Sequence, residues 1–162
     1  MGNMERGRHI VKVSISFLAS VAIATILLVT QTTASNIAWL SSMKMPVDTS
    51  VMVSMFIGDL ISMNFKGEFP VGVLIFVGML ISFLVTRIAL IWVNIDKRYL
   101  YALAGGMAMF AIVGLMPLAF YNLDLIAGAR SLLGKVYLTC SGMIAGYYFG
   151  ARQTEKSTDE NR

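Results

Sequence analysis

The sequence predicts an all-α integral membrane protein with four transmembrane helices and one further interfacial or re-entrant helix. Three observations lead there. Of 162 residues, 57% are hydrophobic and only 14% charged, whereas a soluble domain carries about a quarter charged residues. The mean hydropathy is +0.73. Apolar stretches of about 20 residues recur, the length needed to cross a hydrocarbon core about 30 Å thick. One Cys, three Pro and abundant Leu, Ile and Val exclude disorder, collagen and a disulfide-stapled module.

The first span is expected at about residues 10–30. Its apolar run from Val13 to Val29 is longer than the about 7–15 residues of a signal peptide, so it reads as an uncleaved anchor. Arg6 stands where N-myristoylation prefers Ser or Thr, so a lipid anchor is not indicated. An extracytoplasmic loop, 31–70, should follow. Within it, residues 50–64 form the interfacial or re-entrant helix, opened by the capping signals Asp48, Thr49 and Ser50. Ser50, Ser54, Gly58 and Ser62 make a narrow polar stripe along it, with Asp59 beside the stripe.

The second span, 71–93, is interrupted only by Arg87, and a tight connection at 94–98 returns the chain into the third span, 100–121. Pro117 should bend that span near its end, because it removes a backbone donor. The fourth span is about 132–150. These elements make one membrane domain, 1–151, followed by a flexible polar tail, 152–162. Trp39, Trp92, Tyr99, Tyr101, Tyr121, Tyr147 and Tyr148 sit where an aromatic belt would lie.

Charge sets the orientation. With four spans and both termini in the cytoplasm, Arg6, Arg8, Lys12, Arg87, Lys97, Arg98, Arg152, Lys156 and Arg162 are inside. Lys44, Lys66, Arg130 and Lys135 are outside, a split of nine to four. Five spans would give six inside and seven outside. The positive-inside rule favours four. It also accounts for the net charge of +4 without nucleic acid, for which no aromatic-interleaved basic patch exists.

Helices in lipid associate through close backbone approach and interhelical hydrogen bonds. Gly142, Gly146 and Gly150 recur at four-residue spacing in the fourth span, Ser16, Ser20 and Ala24 share a face of the first, and Ala104, Ala108 and Ala111 share one of the third beside Gly105 and Gly106. Such faces close a bundle. Their number also suggests that one, Gly142/Gly146/Gly150, is an interface to another subunit.

The single His, His9, precedes the first span, and the single Cys140 lies inside the fourth. Haem, a histidine metal centre and a Ser-His or Cys-His hydrolase all need histidine within the fold, so no cofactor is expected. Asp48, Asp59, Glu68 and Asp124 fall on the outer face, and an acid–base pair there, such as Asp59 with Glu68, has nothing to fix its geometry. Met43, Met45, Met52 and Met55 would suit soft Cu(I), or adaptable packing against lipid or a partner.

Two charges remain as candidate pore or polar sites. Arg87 can snorkel to the headgroups or face the bundle beside Ser82 and Thr86. Asp59 can be solvated, pair with Lys66, or form a cation-attracting ring about an oligomer axis. The sequence therefore points to a non-catalytic small membrane subunit that assembles as a homo-oligomer or within a larger membrane complex. The alternative is an oligomeric ion channel or small-solute transporter. Its expected partners are the lipid bilayer and itself or another membrane protein, and its expected location is a plasma membrane, the bacterial inner membrane.

Overall fold

A computed structural model describes the backbone of residues 2–66, 70–93, 95–119 and 127–159. Side chains at 2–6, 8, 9, 116–119, 127 and 155–159 lie outside the described residues, as do Glu68, Tyr121 and Asp124 and the expected effects of His9 and Pro117. Among the described residues five α-helices carry the fold: α1 (Gly2–Ser42), α2 (Thr49–Ile61), α3 (Val71–Ala89), α4 (Lys97–Ala119) and α5 (Leu132–Asp159). A π-helical turn, Ser62–Lys66, extends α2, and a 3-10 turn, Ala127–Ala129, precedes α5. No strand occurs among the described residues. Among the described residues three segments are long and apolar enough to cross a membrane: Ile10–Ser42, Val71–Ala89 and Lys97–Leu115. The expected fourth span coincides with α5, which is not among them, since Lys135, four spaced glycines and three tyrosines dilute its apolar residues.

The largest departure from the sequence reading is α1. The first part of the expected loop 31–70 is not a loop, since α1 runs on to Ser42. Polar residues from Gln31 to Asn36 read as the end of a span, yet no Gly or Pro interrupts the chain before Pro46, so the helix continues. Hydroxyls on α1 bond back one turn, Thr25 to the Val21 carbonyl at 2.9 Å and Thr30 to that of Ile26 at 2.8 Å. The helix stops where Lys44 takes a left-handed conformation, φ 58°, and the Met45 amide reaches the Leu40 carbonyl at 3.2 Å. That is a Schellman-type ending with Lys where Gly is usual. Asp48 then begins α2 through its carbonyl, which accepts from the Met52 amide, and its side chain makes no capping bond.

The other boundaries move less. Asn64 ties α2 to α3: its amide donates to the Leu60 carbonyl at 2.8 Å, and its side-chain oxygen accepts from the Gly72 amide at 3.0 Å. This satisfies one of the orphan donors at the start of α3. The third span starts three residues earlier than expected, because Asp96 accepts from the Arg98 amide at 3.0 Å and caps α4. α5 continues past Gly150, so the backbone of the expected tail is helical as far as Asp159.

α1, α3, α4 and α5 pack in a ring, each touching the next, while α2 lies against α1. The closest pair is α4 with α5, and glycine is the reason. A Cβ on Gly142 would fall against the Gly105 carbonyl, one on Gly146 against that of Tyr101, and one on Gly150 within 2.8 Å of the Arg98 Cα. Two hydroxyls clamp the remaining helices to this pair. Ser20 of α1 donates to the Ala145 carbonyl of α5, and Ser82 of α3 donates to the Ala104 carbonyl of α4 at 2.7 Å. The interior is filled by Leu28, Ile75, Met79, Met109 and Leu138, all fully buried. Tyr101, expected in the aromatic belt, is 6% exposed and belongs to this core, whereas Trp92 and Tyr99 do face outward.

Inserting a methyl group between the backbones of α4 and α5 forces the pair apart, and overpacking of this kind costs about 1–3 kcal/mol. Gly146→Ala should therefore lower the melting temperature of the purified protein. Gly114→Ala, at a position with open space around it, should leave it unchanged or raise it slightly.

Candidate functional site

Three features were singled out by the sequence, and the structure separates them. The glycine line Gly142/Gly146/Gly150 is occupied by α4 of the same chain. It is not a surface open to another subunit, because the α4 backbone already sits where a partner helix would lie. The small-residue line that does stay open is on α2. Ser50, Ser54, Gly58 and Ser62 are all exposed, and nothing lies within 4 Å of a Cβ placed on Gly58. No residue of α2 is buried, and Val51, Met52, Val53, Ile57 and Ile61 are exposed around it.

Asp59 points the other way, onto α1. Its carboxylate accepts from the Thr33 hydroxyl at 2.8 Å and, more distantly, from the Asn36 side-chain amide at 3.5 Å. Thr33 is 4% exposed. Asp59 is thus half-buried and tethers α2 to the last turns of α1, instead of lying free on the polar stripe or pairing with Lys66. Thr33 and Asn36 were missed because they were assigned to a loop. Their three-residue spacing, which puts them on one helical face, becomes informative only once α1 is known to extend that far.

Arg87 does not face the bundle interior. The Thr86 hydroxyl bonds the Ser82 carbonyl at 2.8 Å, and Ser82 is directed to α4, so neither is a partner for the guanidinium. Arg87 is exposed at the mouth of an open groove of about 750 Å³. Val13, Phe17 and Leu18 of α1 form one wall of the groove. Phe76, Leu80 and Leu84 of α3 form the other, and Tyr101 and Phe149 its floor. Lys97 joins Arg87 at the end nearest the α3–α4 connection, and Gln153 is also at the lining.

The floor is an aromatic cluster drawn from all four ring helices. Phe17 stands edge-on to Phe76 at 5.2 Å, to Phe83 at 5.9 Å and to Phe149 at 6.2 Å. Phe83 stacks on Phe149 at 4.8 Å, and Tyr101 meets both edge-on. Edge-to-face and offset pairs of this kind contribute about 0.5–1.5 kcal/mol each beyond area burial.

Among the described residues no group of three or more His, Cys, Asp or Glu could hold a metal ion. Met43, Met45 and Met52 are exposed, and Cys140 is exposed on α5. No family model, curated protein or solved structure matches the chain.

The tether predicts a local effect. A hydrogen bond of this kind contributes about 1 kcal/mol, close to a fivefold change in an opening equilibrium. Asp59→Ala, and separately Thr33→Val, should accelerate amide hydrogen exchange across α2 by about that factor while leaving exchange in α4 and α5 unchanged. Uniform acceleration would mean that the pair supports the whole fold.

Proposed function

We propose that the protein is a non-catalytic integral membrane subunit that assembles with itself or with another membrane protein through α2. The observation that carries this reading is the uncovered small-residue line Ser50/Ser54/Gly58/Ser62 on a helix whose apolar residues are otherwise exposed. A bare line at four-residue spacing lets a second helix approach closely. Val51, Met52, Val53, Ile57 and Ile61 would flank such a contact, and methionine adapts readily to a partner's shape. The Asp59 tether presents the line outward by turning its own face onto α1.

In this reading α5 is the fourth span. It completes the ring and buries one face in it, with Ala145 fully buried beside Ser20 and Leu138 fully buried in the core, while Leu132, Leu133, Val136, Met143 and Ile144 supply an exposed apolar face. Both termini and the α3–α4 connection then face the cytoplasm, on the side that holds nine of the thirteen basic residues. A bacterial inner membrane is the expected setting. The bundle axis is filled by large side chains, so a channel would need an axis shared between copies, and no observation favours that alternative over a plain assembly.

The test uses Gly58. Since Cβ placement there meets open space, Gly58→Leu should leave the subunit folded while removing the oligomer or complex from blue-native gels of solubilised native membranes. Gly114→Leu should leave it in place. A wild-type protein that runs only as a monomer overturns the assembly. Orientation is tested in a Cys140→Ala background: an impermeant thiol reagent added to spheroplasts should label Met43→Cys and spare Gly7→Cys and Ile95→Cys. Labelling of Gly7→Cys or Ile95→Cys under those conditions would refute the four-span topology.

A further inference from the structure

We infer that the groove between α1 and α3 is a binding site for one anionic phospholipid, with its phosphate held by Arg87 and Lys97 and an acyl chain lying along Leu18, Leu80 and Leu84, over the Phe17–Phe76 contact. The inference needs a chain embedded in a bilayer, but it does not depend on assembly through α2.

Depth is the first argument. Phe76 and Arg87 lie three turns apart on α3, about 16 Å along the helix axis. That matches half of a hydrocarbon core about 30 Å thick. The groove is therefore one leaflet deep, apolar along its length and cationic at the end where headgroups lie. Arg87 reaches that level from within α3 by its long side chain, and Lys97 stands at the first position of α4.

Charge is the second. Among the described residues no Asp or Glu lines the groove, so Arg87 and Lys97 both line it with no described carboxylate there to neutralise them. Asp96, the nearest acid in sequence, is directed to the Arg98 amide as a helix cap. A phosphodiester supplies the missing negative charge and accepts hydrogen bonds from both side chains, and basic pockets between membrane helices are suited to anionic headgroups. Gln153 adds a neutral polar group at the lining, suited to the glycerol or ester region.

Shape is the third. The walls are mainly Val, Phe and Leu over a floor that includes Tyr101 and Phe149, and the volume of about 750 Å³ is open on the lipid side. A flexible chain enters such a space without unpaired polar groups. A helix from a second copy would need small residues on the walls, and the walls have none beyond Ser14.

The full-length protein, delipidated in detergent, would be titrated with phosphatidylglycerol or phosphatidylcholine of identical acyl chains and its adducts counted by native mass spectrometry. Two cations near a headgroup predict that one phosphatidylglycerol binds about 30-fold more tightly than phosphatidylcholine. Arg87→Gln and Lys97→Gln should each reduce that preference about fivefold and together abolish it. Lys44→Gln, remote in the chain and absent from the groove, should leave it intact. Leu80→Trp, at an exposed position in the wall, should weaken both lipids alike. Equal affinity for the two lipids, or a preference that survives in the double variant, overturns the site. So does a Leu80→Trp variant that loses a dimer and keeps its lipid, since the groove would then hold a second copy. Loss of the oligomer in Gly58→Leu with lipid binding intact would show that the two surfaces are independent.

Discussion

Backbone-to-backbone contact between α4 and α5 is the constraint on which the remaining packing depends. Lipid surrounds these helices with groups as apolar as their own side chains, so burying Leu against Leu gains little. What the pair gains is proximity. Gly105, Gly142 and Gly146 leave no Cβ between the two backbones, and a single methyl at any of them would meet main-chain atoms. The pair then serves as a base for the others. Ser20 and Ser82 reach from α1 and α3 to carbonyls on its flanks, one on each helix, and these hydroxyls replace the hydrophobic force that would close the same bundle in water.

The upper part of the molecule is organised differently. α1 is 41 residues long, about 60 Å by helical rise, which is twice a hydrocarbon core. Its lower part packs in the ring, and its extension carries α2. There the contact is polar, Asp59 to Thr33, and no apolar residue of α2 becomes buried by it. A half-buried charge-assisted bond is a weak tether beside a glycine seam, so α2 is the element whose final partner is set outside the chain.

Much of this was legible in the residues, and the failures share a cause. Helical periods put α3, α4 and α5 within a few residues of their starts, because apolar runs are local signals; the Asp96 cap, which starts α4 three residues early, was not read. The glycine line was seen, and its occupant was not. Spacing identifies a face that wants a close neighbour, but it carries no address, and the complementary Gly105 and Gly106 read as one more small-residue face. The extension of α1 was lost because polarity was taken as a stop, whereas helices end at Gly, Pro or a left-handed residue, here Lys44. With α1 cut short, Thr33 and Asn36 fell into a loop and Asp59 lost its partners. Lys97 entered only as a unit of charge, since nothing in one dimension places it beside Arg87 or Phe17.

The groove follows from the seam by geometry. A ring of four helices has four sides, and each side is as long as the residues across it require. Glycine makes the α4–α5 side short. The side opposite, between α1 and α3, holds Phe17, Leu18, Phe76, Leu80 and Phe83, which make it long. A ring with one short and one long side cannot close with equal tightness throughout, and the surplus opens outward between the two helices that lack small residues at their shared face. Four aromatic rings, one from each helix, floor the opening and keep it from running through to the core. The cavity is thus the geometric complement of the closest contact in the fold, and filling the glycine seam with side chains would be expected to narrow the groove as well as to loosen the bundle.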